Sequence, residues 1–123
     1  MSASPPLTPG PDHPITIHEV STHVVVSAGD RVIADTSHPL ILHEGGFDLV
    51  YYLLLSDVDQ GALEPSETHS YCPYKGVASY FSIRTGNGLI EDAAWCYDHP
   101  YDAVSEIADH AAFYWDKVRI DES

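Results

Sequence analysis

The chain has 123 residues, with 19 Asp plus Glu against 5 Lys plus Arg, for a formal net charge of -14; that length supports one domain. A hydrophobic fraction of 44% with 11% aromatics supplies a core and argues against intrinsic disorder. So acidic a surface, with no basic patch, argues against nucleic-acid and membrane partners.

Residues 1–14 carry prolines at 5, 6, 9, 11 and 14 and little apolar content, which predicts a flexible leader ahead of a domain over 15–123. The leader lacks the basic start and apolar run of a signal peptide, and no apolar stretch approaches the roughly 20 residues of a membrane span, so the expected compartment is the cytoplasm. Residues 15–20 read as a strand. Residues 24–28 and 31–34 form a hairpin around Gly29-Asp30. Residues 40–43 and 47–55 flank Gly45-Gly46, and the second run is apolar on both faces, as a central strand is. Ser56-Asp57-Val58-Asp59, followed by Gly61 and Pro65, predicts one helical turn and then a loop.

Residues 75–84 alternate, with Val77, Phe81 and Ile83 on one face and Ala78, Tyr80 and Arg84 on the other. Residues 89–97 return as their partner across Thr85-Gly86-Asn87-Gly88, a stretch tolerant of positive φ. The one helix of any length is expected at 102–110, from Val104, Ile107, Ala108 and Ala111 at helical spacing. Residues 113–120 close the domain as a last strand. The fold class is mainly β.

Several strings carry a resemblance: Val32-Ile33-Ala34-Asp35-Thr36, Leu42-His43-Glu44, Val50-Tyr51-Tyr52, Asp57-Val58, Cys72-Pro73-Tyr74-Lys75-Gly76-Val77-Ala78-Ser79-Tyr80, Asp92-Ala93-Ala94-Trp95-Cys96-Tyr97 and Ala112-Phe113-Tyr114. In this order, across residues 24–120, they resemble the motifs of the domain of unknown function 427 family, sometimes labelled nucleotidyltransferase-like. The resemblance implies a small two-sheet antiparallel β-tent, similar to folds that elsewhere carry a zinc clamp, and no settled activity. Two departures stand out. Relatives usually have a proline and then an arginine after the tyrosine pair, where this chain reads Leu53-Leu54-Leu55-Ser56, and Glu67-Thr68-His69-Ser70-Tyr71 is re-spaced before Cys72. An anion-binding arginine is therefore missing if relatives use one, and one wall of any pocket is reshaped.

Among residues with chemistry, Lys75 comes first: it is one of two lysines and sits among Cys72, Tyr74, Gly76 and Tyr80 rather than on a charged face. Desolvation would make such an amine a base or an imine former, whereas a carboxylate partner would keep it charged. The alternative is a structural ion pair with Glu44 or Asp92 that pins two sheets together. Glu44 ends an apolar strand with no basic neighbour in sequence, suiting a general acid or base or, equally, a solvated strand end. Asp92 is read first as a turn or edge residue whose carboxylate accepts backbone N–H groups.

Tyr52, Tyr74, Tyr80, Trp95 and Tyr97 suit the walls of a pocket or a core; core packing is favoured for Trp95. Cys72, three residues before Lys75, is a thiolate candidate or a buried thiol. Two cysteines make neither a disulfide framework nor a zinc clamp, and the 8 histidines show no ligand spacing, so no metal is expected. No phosphate loop or carboxylate cluster supports the nucleotidyltransferase label.

The expected function is a cofactor-independent enzyme, a lyase or isomerase acting by proton transfer, elimination or isomerisation on a small organic substrate. Lys75 and Glu44 are its catalytic pair. Tyr52 and Tyr80 orient the ligand, and Cys72, Tyr74, Asp92 and Trp95 complete the binding residues. Two alternatives stay open: a non-catalytic module that holds a small metabolite in the same concavity, and a protein-interaction domain acting through the acidic face. A monomer or homodimer is expected.

Overall fold

Gly29 takes a φ of 60° at the turn between strands β2 (Val24–Ala28) and β3 (Arg31–Thr36), a conformation that lets a two-residue loop close the hairpin. The computed structural model describes residues 5–123. It adds β1 (Ile15–Glu19), β4 (Leu40–Glu44), β5 (Val50–Leu54), β6 (Leu63–Cys72), β7 (Gly76–Thr85), β8 (Gly88–Cys96), β9 (His110–Phe113) and β10 (Arg119–Glu122). A seven-stranded sheet runs β1-β4-β5-β9-β8-β7-β6, and a three-stranded sheet runs β10-β2-β3. Every pairing is antiparallel. The molecule is therefore mainly β with two antiparallel sheets, and β5 lies inside the larger one, as its two apolar faces demand.

The period of two along each strand divides the large sheet between two cores. Tyr51, Leu53, Phe81, Ala94, Ala111 and Phe113 face the small sheet and pack with its Val24, Val26, Ile33 and Ala34. Their neighbours Tyr52, Tyr80, Trp95 and Ala112 face the other way, with Leu42, Ala78, Tyr97, Val104 and Ile107. The large sheet thus carries an apolar cluster on each face.

Three expectations about segments are corrected. Residues expected as a loop after Gly61 form β6, an edge strand paired with β7 along most of its length; half of its residues are exposed and it contains Pro65, so apolar patterning does not reveal it. The expected helix is a 3₁₀ segment, Asp102–Ile107, kinked at Val104 with φ -128° and ψ 25°. Val104 and Ile107 are buried three positions apart, as 3₁₀ geometry allows, while Ala111 already belongs to β9. The expected last strand is two strands in different sheets, joined across residues 114–118, where Lys117 and Val118 N–H groups both donate to the Tyr114 carbonyl.

Finally, residues 7–14 are tied to the domain. Leu7 N–H donates to the Pro73 carbonyl at 2.9 Å, and Gly45 N–H donates to the Pro14 carbonyl at 2.8 Å. Residues 1–4 lie outside the described residues. Among the described residues, no helix is long and apolar enough to cross a membrane.

Candidate functional site

Two turns and the proline-rich arm build one cluster of charge. Glu44 ends β4, where Gly45 takes a φ of 52° and anchors Pro14. Lys75 ends the turn between β6 and β7, its N–H donating to the Cys72 carbonyl at 3.1 Å and its carbonyl accepting from Tyr101 N–H at 3.1 Å. Gly76 follows at a φ of 113°, where a Cβ would lie 3.3 Å from the His99 carbonyl oxygen. The string Lys75-Gly76 therefore needs glycine, both for its backbone angle and for the close approach.

Lys75 Nζ donates to Glu44 Oε1, and the two side chains are only 12% and 14% exposed. On the other oxygen, His13 Nε2 lies 2.6 Å from Glu44 Oε2; because a carboxylate only accepts, Nε2 carries the hydrogen. The His13 ring stacks on Tyr74, centroids 3.9 Å apart and planes 5° from parallel. Burial pushes the Glu44 carboxyl up, but the hydrogen bonds from Lys75 and His13 and their charges outweigh it and hold the group below its ordinary value. Glu44 is thus an anion between two donors.

Beside this cluster, register sets a row of side chains on one face. Leu40 is opposite Tyr52, and Trp95 is opposite both Ala112 and Tyr80. Ala112 leaves room between the flanking aromatics, so Trp95 Nε1 reaches the Tyr52 hydroxyl at 3.3 Å, with the rings edge to face. Tyr80 and Ser70 share a hydroxyl hydrogen bond of 2.8 Å. Burial raises the Tyr52 and Tyr97 phenols above their ordinary value, and burial with the neighbouring Tyr80 hydroxyl pushes Tyr114 up to about 12. At neutral pH these three phenols are protonated.

Glu44, Lys75 and the row line a cavity of about 210 Å³. Leu42 and Val50 add apolar wall, Tyr97 and Tyr114 add phenols, and Phe47 and Asp48 contribute from the loop before β5. Of the residues singled out from sequence, Lys75, Glu44, Tyr52, Tyr80, Trp95 and Tyr97 come together here. Tyr74 instead backs His13. Half-buried Cys72 packs against the cluster that contains Tyr52 and Leu42 without lining the cavity.

Asp92 stands elsewhere, at a φ of 48°, accepting from Thr68 Oγ1 at 2.7 Å. Hydrogen bonds from Ser66 and Thr68 hold its carboxyl below the usual range. The segment Leu53-Leu54-Leu55-Ser56, where relatives are expected to carry a proline and an arginine, contributes nothing to the wall of this cavity. Sequence reasoning missed His13, Asp48 and Tyr114. For His13 the available signal was indirect: an acid without a basic neighbour needs partners from distant segments.

The family model described as Domain of unknown function (DUF427) matches residues 16–123. The chain belongs to this family. No curated protein matches it. The DUF427 match begins after His13, so one of the two donors on Glu44 lies outside the matched span.

Proposed function

We propose that this DUF427 domain binds a small organic molecule in the Glu44–Lys75 cavity and acts on it by acid–base chemistry without a cofactor, as a lyase or isomerase does. One observation carries the reading: a nearly buried lysine, held by a carboxylate that is itself held by His13, lies in the wall of a cavity whose other lining is phenols, an indole, the Phe47 ring, aliphatic groups and one further carboxylate, Asp48. In this reading the Lys75 ammonium meets the polar or developing negative end of the substrate, where a fixed charge in a poorly hydrated site acts strongly. Tyr52, whose oxygen already accepts from Trp95, offers its hydrogen as donor. Glu44 positions Lys75, and Asp48, the other carboxylate in the lining, takes the proton that the substrate loses.

A second reading, a non-catalytic binding module, is favoured by a specific observation. Both Glu44 oxygens are engaged and its carboxyl is held low, which makes it a weak base. We place the protein in the cytoplasm, where Cys72 and Cys96 would stay as thiols, as a monomer or homodimer with no nucleic-acid or membrane partner.

A thermal-shift screen of metabolites on the wild type, Lys75→Met and Glu44→Gln separates these readings, because a ligand of the native state raises its melting temperature. Stabilising compounds lost in both variants and consumed by the wild type support the enzyme. Compounds that bind saturably and are recovered unchanged support the module. Compounds that stabilise both variants as well as wild type overturn the site.

A further inference from the structure

The chain leaves the large sheet at Phe113 and joins the small one at Arg119, so residues 114–118 cross from one sheet to the other. A cavity of about 450 Å³ remains there, a volume within the range of small-molecule sites. Its walls come from both sheets: Val24, Val26 and Ile120 from the small one, Leu53 and Phe113 from the large one. It touches the first cavity through Asp48, Val50, Trp95 and Tyr114 and contains neither Lys75 nor Glu44.

The rim is unusually apolar for a surface. Trp115 is 77% exposed and Leu49 is 56% exposed, and both line the opening. The charged groups in the wall are Asp48 and Glu122. Glu122 accepts the Tyr51 hydroxyl, and neither acid forms an ion pair with a basic side chain among the described residues. No lysine or arginine lines this cavity.

We propose that this inter-sheet cavity is a second binding site, for a small apolar molecule bearing one amine. The hydrocarbon part lies among Val24, Leu53 and Phe113, and the ammonium meets Glu122 and Asp48. A carboxylate or phosphate end is disfavoured by the same two acids and by a chain charge of -14.

The molecule supplies its own reporter, since its 2 tryptophans, Trp95 and Trp115, both line the cavity. Phenylbutylamine and its anionic counterpart phenylbutyrate absorb little where tryptophan is excited selectively, so emission can be titrated with each. We expect a saturable emission change with phenylbutylamine, weaker by about tenfold or more in Glu122→Gln, in which a charge-assisted contact is lost. Leu49→Arg, at an exposed position, should abolish the change, Lys75→Met should leave it intact, and circular dichroism checks that each variant is folded.

A response to phenylbutyrate equal to that of the amine overturns the proposal, as does no saturable response to either. So does binding that survives Leu49→Arg. Sedimentation showing a dimer that Leu49→Arg dissociates would assign the face to a second copy of the chain and overturn it equally.

Discussion

Glu44 offers one carboxylate oxygen to His13 Nε2, 2.6 Å away, and the other to Lys75 Nζ, each partner 31 positions distant in sequence. A single carboxylate thus ties the arm, the β4 end and the β6–β7 turn together. Removing one partner of such a set leaves polar hydrogens unsatisfied.

Glu44→Gln should lower stability by about 1–3 kcal/mol at neutral pH, trimmed by residual solvent at the pair. Because the folded carboxyl lies below its ordinary value of 4.5, the stability from its ionisation is fully present above about pH 4.5. It is lost as pH falls through the lower folded value. Urea denaturation across pH should show a constant gap between wild type and Glu44→Gln above pH 4.5, narrowing below it. A gap independent of pH down to the acid transition would contradict the assignment.

His13→Ala removes both the Glu44 hydrogen bond and the stack on Tyr74. We expect a loss of about 1.5 kcal/mol, with faster limited proteolysis within residues 7–14 than in wild type. Unchanged cleavage of that segment would mean that its backbone bonds to Pro73 and Gly45 suffice.

Gly76→Ala places a side chain at a φ of 113°, with its Cβ 3.3 Å from a backbone oxygen. Both effects oppose folding, at about 1–3 kcal/mol. Because Gly76 follows Lys75 directly, any ligand found for the first cavity should also bind this variant more weakly, a change that melting temperature without ligand does not report.

Ala112 is fully buried beside Trp95 in the row that also holds Tyr52. Ala112→Leu adds three carbons where the indole must reach the Tyr52 hydroxyl, so we expect about 1–3 kcal/mol of destabilisation from overpacking. Tyr52→Phe, by contrast, keeps the packing and strands the Trp95 N–H, at about 1 kcal/mol. Calorimetry should rank Ala112→Leu below Tyr52→Phe; the reverse order would show that the row has slack.

Much of this architecture was legible before the fold. The Gly29 hairpin, the central β5 and the β7–β8 pair announce themselves through turn chemistry and alternation, which act over a few residues. Lys75 and Glu44 were legible as charges that lacked local partners. What stayed hidden depends on distant pairing: β6 is held by β7 rather than by its own composition, and the break at 114–118 follows from joining a second sheet. His13 was hidden for the same reason, since only the docking of Pro14 on Gly45 brings it to Glu44.

The alternation in the large sheet has a consequence for change over time. Tyr52, Tyr80, Trp95 and Ala112 form one panel, and Leu53, Phe81, Ala94 and Ala111 the panel behind it. Tyr52, Tyr80 and Trp95 of the first line the Glu44–Lys75 cavity, while the second packs against the small sheet. Under the proposed function, a change of ligand in that cavity asks for substitutions in the first set of codons and leaves the contact between the sheets untouched.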